Sequence, residues 1–167
     1  MSDWHVAQIN VGTVLHPLDD PRMEGFVSRL DAVNALADRS PGFVWRLQTE
    51  SGNATGIKTT ADPLFIINMS VWASVEALFD FVYKSAHRTA MAGRRDWFAP
   101  PKGAYMALWW IRAGTLPTPE EGLARLAHLD ANGATQQAFN FGRKFPPPDV
   151  AGGPEDMRPD PYCVGWR

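Results

Sequence analysis

The chain holds one cysteine, Cys163, in 167 residues. No internal disulfide and no cysteine metal cluster can form from a single thiol. No apolar run approaches the length that crosses a bilayer. The N-terminal stretch carries Asp3 and His5 and has no long apolar segment, so no signal peptide is expected and the protein is expected to be cytoplasmic. The 16 basic and 18 acidic residues leave a formal charge of −2, with the bases dispersed. Arg94-Arg95 is the densest basic spot, too small for a nucleic-acid footprint. Histidines and carboxylates nowhere take metal-ligand spacing, so no metal is expected. No Gly-x-Gly-x-x-Gly opens a helix, no Gly-Lys-Ser/Thr loop is present, and no Gly-x-Ser-x-Gly elbow occurs. These absences exclude membrane, nucleotide-loop, nucleic-acid and elbow-hydrolase classes.

Apolar residues make up 45% of the chain and charged ones 20%, an ordinary globular composition. Seven tryptophans are spread over most of its length, and large aromatics fill cores or line organic-ligand pockets. Alternation predicts strands over 4–14, 43–48, 64–72 and 104–112. Asp19-Asp20-Pro21 opens a first helix with Met23, Phe26, Val27, Leu30, Val33 and Ala37 on one stripe, stopped by Ser40-Pro41-Gly42. Residues 49–62 read as a hairpin-type connection with a loose tip. Ser74 caps a second helix striped by Val75, Leu78, Phe79 and Val82, continuing past His87 toward Met91. Thr118-Pro119-Glu120-Glu121 is a capping box opening a third helix. A short helical turn and an aromatic piece are expected over 134–145. The Pro/Gly-rich stretch after it reads as an extended tail.

The order is β-α-β-β-α-β, then a helix and the tail. This is the ferredoxin-like split unit, an α+β fold with an antiparallel sheet and both helices on one face. The expected organisation is a domain over 1–145 and a tail over 146–167. The other sheet face needs a cover, and a second copy would supply it, so a homodimer is expected. The apolar rows of the first three strands are expected to face the helices, and the opposite rows the dimer side. Those opposite rows carry Gln8 and Asn10, Arg46 and Gln48, then Asn68, Ser70 and Trp72. On the fourth strand Trp110 and Arg112 join them if Trp109 and Ile111 face the helices. Amides, guanidiniums and indoles on one face suit a small-molecule pocket. His87 is the candidate for proton transfer, because histidine titrates near neutrality, and Tyr83 shares its helical face. His5, His16 and His128 read as structural or exposed.

Several segments resemble the dimeric α+β barrel superfamily: SPGFVWR (40–46), NMSVWASVEALFDFVYKSAH (68–87), the Trp109-Trp110 strand, and Phe139-x-Phe141 followed by FPPP. That superfamily includes antibiotic-biosynthesis monooxygenases, which work without metal or flavin, and haem-degrading monooxygenases. Residues 5–145 resemble, within it, a bacterial family catalogued as a domain of unknown function. The resemblance implies that Asn68 and Trp72, four apart, contact an oxygen-bearing substrate. Asn10, Trp72 and His87 are similar in order to the residues of the haem-degrading group, although His87 comes later after Trp72 than the axial histidine does there. Leu78 stands where the antibiotic group has a helical tyrosine.

The expectation is therefore a small-molecule enzyme acting on an aromatic or polyketide-like metabolite as a cofactor-independent oxygenase. His87 would be the base, with Asn68 and Arg112 or Arg46 stabilising an anion, and Trp72 and Trp110 stacking on the ring. A non-oxidative cyclase or isomerase is the alternative within enzymes. Outside them stand a non-catalytic protein holding an aromatic ligand or haem, and an interaction module docking through its tail.

Overall fold

The computed structural model describes residues 2–85, 89 and 92–156. Strand β1 (Trp4–Thr13) is central, pairing antiparallel with β3 (Phe65–Trp72) on one side and β4 (Met106–Arg112) on the other. Strand β2 (Phe43–Arg46) adds outside β3, giving the order β2-β3-β1-β4. Helix α1 (Glu24–Arg39) joins β1 to β2, and α2 (Val75–Lys84) leads from β3 toward the short α3 (Arg94–Trp97) and β4. Helix α4 (Pro119–Asn132) follows. The antiparallel ferredoxin-like α+β unit read from the alternation is the fold observed.

Local chemistry sets the boundaries. Asp20 accepts a hydrogen bond from the Arg22 amide ahead of a 3-10 turn at Pro21–Met23 that runs into α1. The Ser74 and Thr118 hydroxyls accept from the Ala77 and Glu121 amides and cap α2 and α4. Gly42, at φ +79°, turns the chain from α1 into β2, and a Cβ there would lie 2.6 Å from the Ala77 methyl. A left-handed backbone and that contact both require glycine.

The two sheet faces are covered differently from the expected arrangement. Ala7, Ile9, Met69, Val71, Trp109 and Ile111 pack with Leu126 and Leu129 of α4, with Leu123, Trp45 and Leu47 at the margin. The apolar row therefore faces α4, not α1 and α2. Gly122 allows this approach, because a Cβ there would sit 2.8 Å from Ile9 Cδ1 and 3.0 Å from Met69 Cε. The opposite row faces α1 and α2. Alternation separates two faces but does not say which helix covers which. A second copy was expected to cover the polar row; α1 and α2 of the same chain lie over it, and α4 covers the apolar one.

Residues 134–145 contain no helix. Phe139 instead pairs with Leu108 through two backbone hydrogen bonds of 2.8 and 2.9 Å, extending the sheet beyond β4. Phe139 and Phe141 are fully buried against Val75 and Leu78. Residues 146–156 run back along this side. Trp4 Nε1 donates to Asp149, and the Lys144 and Glu155 backbones pair.

Lys144 Nζ bonds Glu76 Oε1 at 2.6 Å and lies 3.3 Å from Glu155. Partial burial pushes the Glu76 carboxyl up, but the Lys144 hydrogen bond, its own backbone amide and the Lys144 charge together outweigh it and leave the group below its ordinary value of 4.5. A carboxyl held low contributes stability that is present above its unfolded pKa and lost as pH falls through the folded value. The glutamate is largely exposed, so the contribution is at most about 1 kcal/mol. Lys144→Met is therefore expected to lower the urea midpoint slightly at pH 7. The difference from the native chain should shrink as pH drops below 4.5, and paired denaturation curves check this.

Candidate functional site

A cavity of about 180 Å³ lies between the polar row of the sheet and helices α1 and α2. Its helical wall is the α1 stripe Phe26, Leu30, Val33 and Ala37, whose 4-3-4 spacing keeps one face toward the sheet. Leu78, Phe81, Val82 and Tyr83 of α2 continue the wall toward Trp72. Trp97, Phe98 and Tyr105 close the end near Gly12. The floor is Gln8, Asn10, Asn68 and Ser70. Register explains their meeting: Gln8 pairs with Ser70 and Asn10 with Asn68 across β1 and β3, so the four side chains share one face.

The floor is one hydrogen-bond network. Trp72 Nε1 donates to Ser70 Oγ at 2.8 Å, and Gln8 Nε2 donates to Ser70 Oγ and to Asn68 Oδ1, both at 3.0 Å. Asn10 Nδ2 reaches Gln8 Oε1 at 3.5 Å. An indole can only donate, and a hydroxyl has two acceptor sites and one proton. With both sites of Ser70 Oγ used, its O–H is left to donate. Asn68, whose oxygen is engaged by Gln8, likewise keeps its Nδ2 hydrogens. Ser70 is 6% exposed, whereas Asn68 lies open to solvent at the cavity mouth. Two donors therefore face the cavity beside each other, one dry and one at the opening.

Among the described residues that line the cavity there is no Asp, Glu or His, but there are three arginines, Arg29, Arg46 and Arg94. No described group of three or more His, Cys, Asp or Glu residues is placed to hold a metal ion.

Asn10, Arg46, Asn68, Ser70, Trp72 and Tyr83 line the cavity together. Arg46 serves differently from the expected anion contact. Its Nε and Nη2 bond Asp38 at 2.8 and 3.3 Å, and Nη1 donates to the Gly52 carbonyl at 2.5 Å. It thereby clamps the 49–55 loop, which supplies Asn53, Ala54 and Thr55 to the cavity, onto α1. Trp72 is a wall and not a stacking platform. It is fully buried, with Phe81 stacked on it at 5.0 Å and Phe43 edge-on at 5.4 Å. Gln48 lies exposed beyond the end of β2 and does not line the cavity. Trp110 donates to the Phe145 carbonyl at 2.9 Å and packs near Phe139, under the C-terminal segment. Arg112 stacks over Trp4 at 4.1 Å and pairs with Asp149 at 3.3 Å. Alternation put both on the right face, but the returning segment covers that end of β4. His87 lies outside the described residues, as does Cys163.

The sequence reading missed Arg29, Arg94, Trp97, Phe98 and Tyr105. The Arg94-Arg95 pair was visible, but nothing local shows that one of the two turns inward. Arg46→Ala is expected to free the 49–55 loop. Losing charge-assisted bonds costs about 1.5 kcal/mol, which is roughly a tenfold rise in loop opening. Hydrogen exchange at the Thr49 amide, bonded to the Asn53 carbonyl at 2.8 Å, measures it.

A four-stranded antiparallel sheet with an amide-floored cavity under two helices defines an α+β protein of ferredoxin-like fold. The chain belongs to the family described as Domain of unknown function (DUF3291), which its residues 5–153 match. No protein of curated function matches it. Among solved structures it is similar to SnoaB, a cofactor-independent oxygenase from Streptomyces nogalater, at 19% identity. That match covers 70% of this chain and 100% of SnoaB, with a TM-score of 0.46. It is also similar to Rv0793 from Mycobacterium tuberculosis, at 15% identity over 69% of this chain and 98% of the other, TM-score 0.45. A third is NE2512, a protein of unknown function from Nitrosomonas europaea, at 13% identity over 70% and 96%, TM-score 0.44. Among the described residues no helix is long and apolar enough to cross a membrane.

Proposed function

We propose that the cavity binds a planar, oxygen-bearing aromatic molecule, such as a polyketide-type phenol or anthrone, and holds it as an enolate or phenolate for direct reaction with O₂. The observation that carries this is the paired donors of Ser70 and Asn68 in a cavity with arginines and no described carboxylate. Donors fixed before reaction and aimed at developing negative charge stabilise it without reorganisation. The apolar walls of α1 and α2 exclude water and strengthen that effect.

The chemistry balances without a cofactor. The substrate loses a proton to give the enolate, which transfers one electron to O₂, and the resulting radical pair combines to a C–O–O⁻ group. That group takes up a proton, the remaining C–H proton leaves, and the O–O bond breaks. A CH₂ group and O₂ thus become a carbonyl and water. His87 is the proposed base. His87→Gln is then expected to flatten the rise of rate with pH that deprotonation of an imidazole produces.

Dithranol, an easily enolised hydroxyanthrone, is the test substrate. Catalytic O₂ uptake and quinone formation are expected above the protein-free rate, undiminished by a chelator and abolished under nitrogen. Conversion under nitrogen would favour an isomerase. No acceleration in either atmosphere would leave a binding protein.

A further inference from the structure

We infer that Gln8 decides which protonation state of a phenolic ligand the cavity holds: it fixes the floor with its donors outward and so selects the anion over the neutral phenol. This rests on the pocket reading above and adds to it the ionised form of the ligand and the residue that sets the preference. Gln8 acts through Ser70 and Asn68, so it is a positioning residue.

Gln8 is the hub of the floor. It is 5% exposed, lies on the central strand β1 and stands opposite Ser70 in register. Its Nε2 meets two partners, Ser70 Oγ and Asn68 Oδ1, both at 3.0 Å. Among the described residues its Oε1 meets one, Asn10 Nδ2, at 3.5 Å. An amide nitrogen carries two hydrogens and an amide oxygen two lone pairs. With nitrogen on the side of the two partners, both hydrogens are used and one lone pair is spare. With the amide reversed, oxygen would take the two partners and both hydrogens would be left with the single contact at Asn10. One N–H of a buried amide would then be orphaned, a rarer and costlier defect than a spare lone pair on a bonded carbonyl. The number of partners on each side therefore fixes the polarity of Gln8.

That polarity passes outward. Trp72 can only donate, and it takes one acceptor site of Ser70 Oγ at 2.8 Å; Gln8 takes the other. The serine hydrogen is left for the cavity. Asn68, its oxygen held by Gln8, turns its Nδ2 the same way. Hydrogen bonds to an anion are about twice as strong as neutral ones, so two donors on one oxygen favour the phenolate. The spare acceptor of the floor, Asn10 Oδ1, stands diagonally from Ser70 in the register, and diagonal neighbours are about 7–8 Å apart. It does not offset the donor pair. The charged groups and phenols lining the same cavity among the described residues are Arg29, Arg46, Arg94, Tyr83 and Tyr105. They are common to the native chain and to Gln8 variants, so comparing the two isolates Gln8.

The test follows the visible absorbance of bound 4-nitrophenolate through a pH titration under nitrogen. 4-Nitroanisole, the methyl ether, has no proton to lose and is the control ligand. On the native chain the bound phenol is expected to ionise about one pH unit or more below the free phenol, a preference for the anion of about tenfold. Gln8→Glu keeps the shape, but a carboxylate only accepts, so Ser70 and Asn68 must turn their hydrogens inward. The bound phenol should then ionise at or above the pH of the free phenol. Gln8→Met removes the hub without adding charge. It should lose about half or more of the native shift and bind 4-nitroanisole within about threefold of the native chain. Only folded protein holds the ligand, so partial unfolding of a variant leaves the ionisation pH of the bound phenol unmoved. No binding of the phenol at millimolar concentration, or native ionisation at the pH of the free phenol, overturns the inference. So does an unchanged ionisation pH in both variants, the result of a purely structural role, or a change in Gln8→Glu alone, the result of charge repulsion. A native shift lost in both variants, with no dithranol oxidation, would sink the oxygenase reading and leave Gln8 its role. Dithranol oxidation with the shift intact in both variants would do the reverse.

Discussion

Asn68→Ala is expected to lower kcat for dithranol oxidation by about 100-fold, the usual loss on removing one donor from an anion-stabilising pair. The effect should fall on kcat and kcat/KM alike, because the interaction strengthens only as charge develops. Folding should be almost untouched. Asn68 is exposed, and its oxygen accepts a side-chain hydrogen bond from Gln8. Asn68→Asp is the sharper companion. It keeps the shape and the acceptor but replaces the donor with a negative charge, so its loss should equal or exceed that of alanine. Steady-state oxygen uptake, with melting curves to confirm native stability, decides the matter. A full rate in both variants would remove Asn68 from the site.

The largest loss of stability is expected from Trp72→Ala. The side chain is fully buried, contacts Phe43 and Phe81, and donates to Ser70. Truncating such a residue costs about 3–5 kcal/mol through lost contacts and the void left behind. For a chain of this size that is a fall in melting temperature of about 6–20 °C. Trp72→Phe isolates the indole N–H, because the ring contacts largely persist while Ser70 Oγ loses its donor; about 1 kcal/mol is expected. Differential scanning calorimetry separates the two substitutions. A fall of only a degree or two in the alanine variant would contradict the buried position of Trp72. Activity in the phenylalanine variant then reports how far the Ser70 hydroxyl depends on the indole for its orientation.

Much of the fold was legible in the chain because its signals are local. The Asp20, Ser74 and Thr118 caps, the glycine after Ser40-Pro41 and the alternating strands mark helices and strands within a few residues of where they lie. The same locality limited the reading of 134–145. Phe139 and Phe141 carry an aromatic pattern, but their backbone partner is Leu108, some thirty residues away in sequence, and no neighbouring residue announces that pairing.

The site divides in the same way. The polar row of Gln8, Asn10, Asn68 and Ser70 follows from a period of two, and the cavity-facing stripe of α1 from a period of 3.6. By itself, then, the sequence determined the βαββαβ order and which side chains share a strand face. Tertiary structure alone decided that α4 seals the apolar face while α1 and α2 stand over the polar one. It also decided that Arg46 is a loop clamp, that Trp110 and Arg112 are held by the returning segment, and that Arg29 and Arg94 reach the cavity. The physical reason is that periodicity is a property of the local backbone. Which layer packs on a face, and which distant charges converge, depend on contacts between segments far apart in the chain.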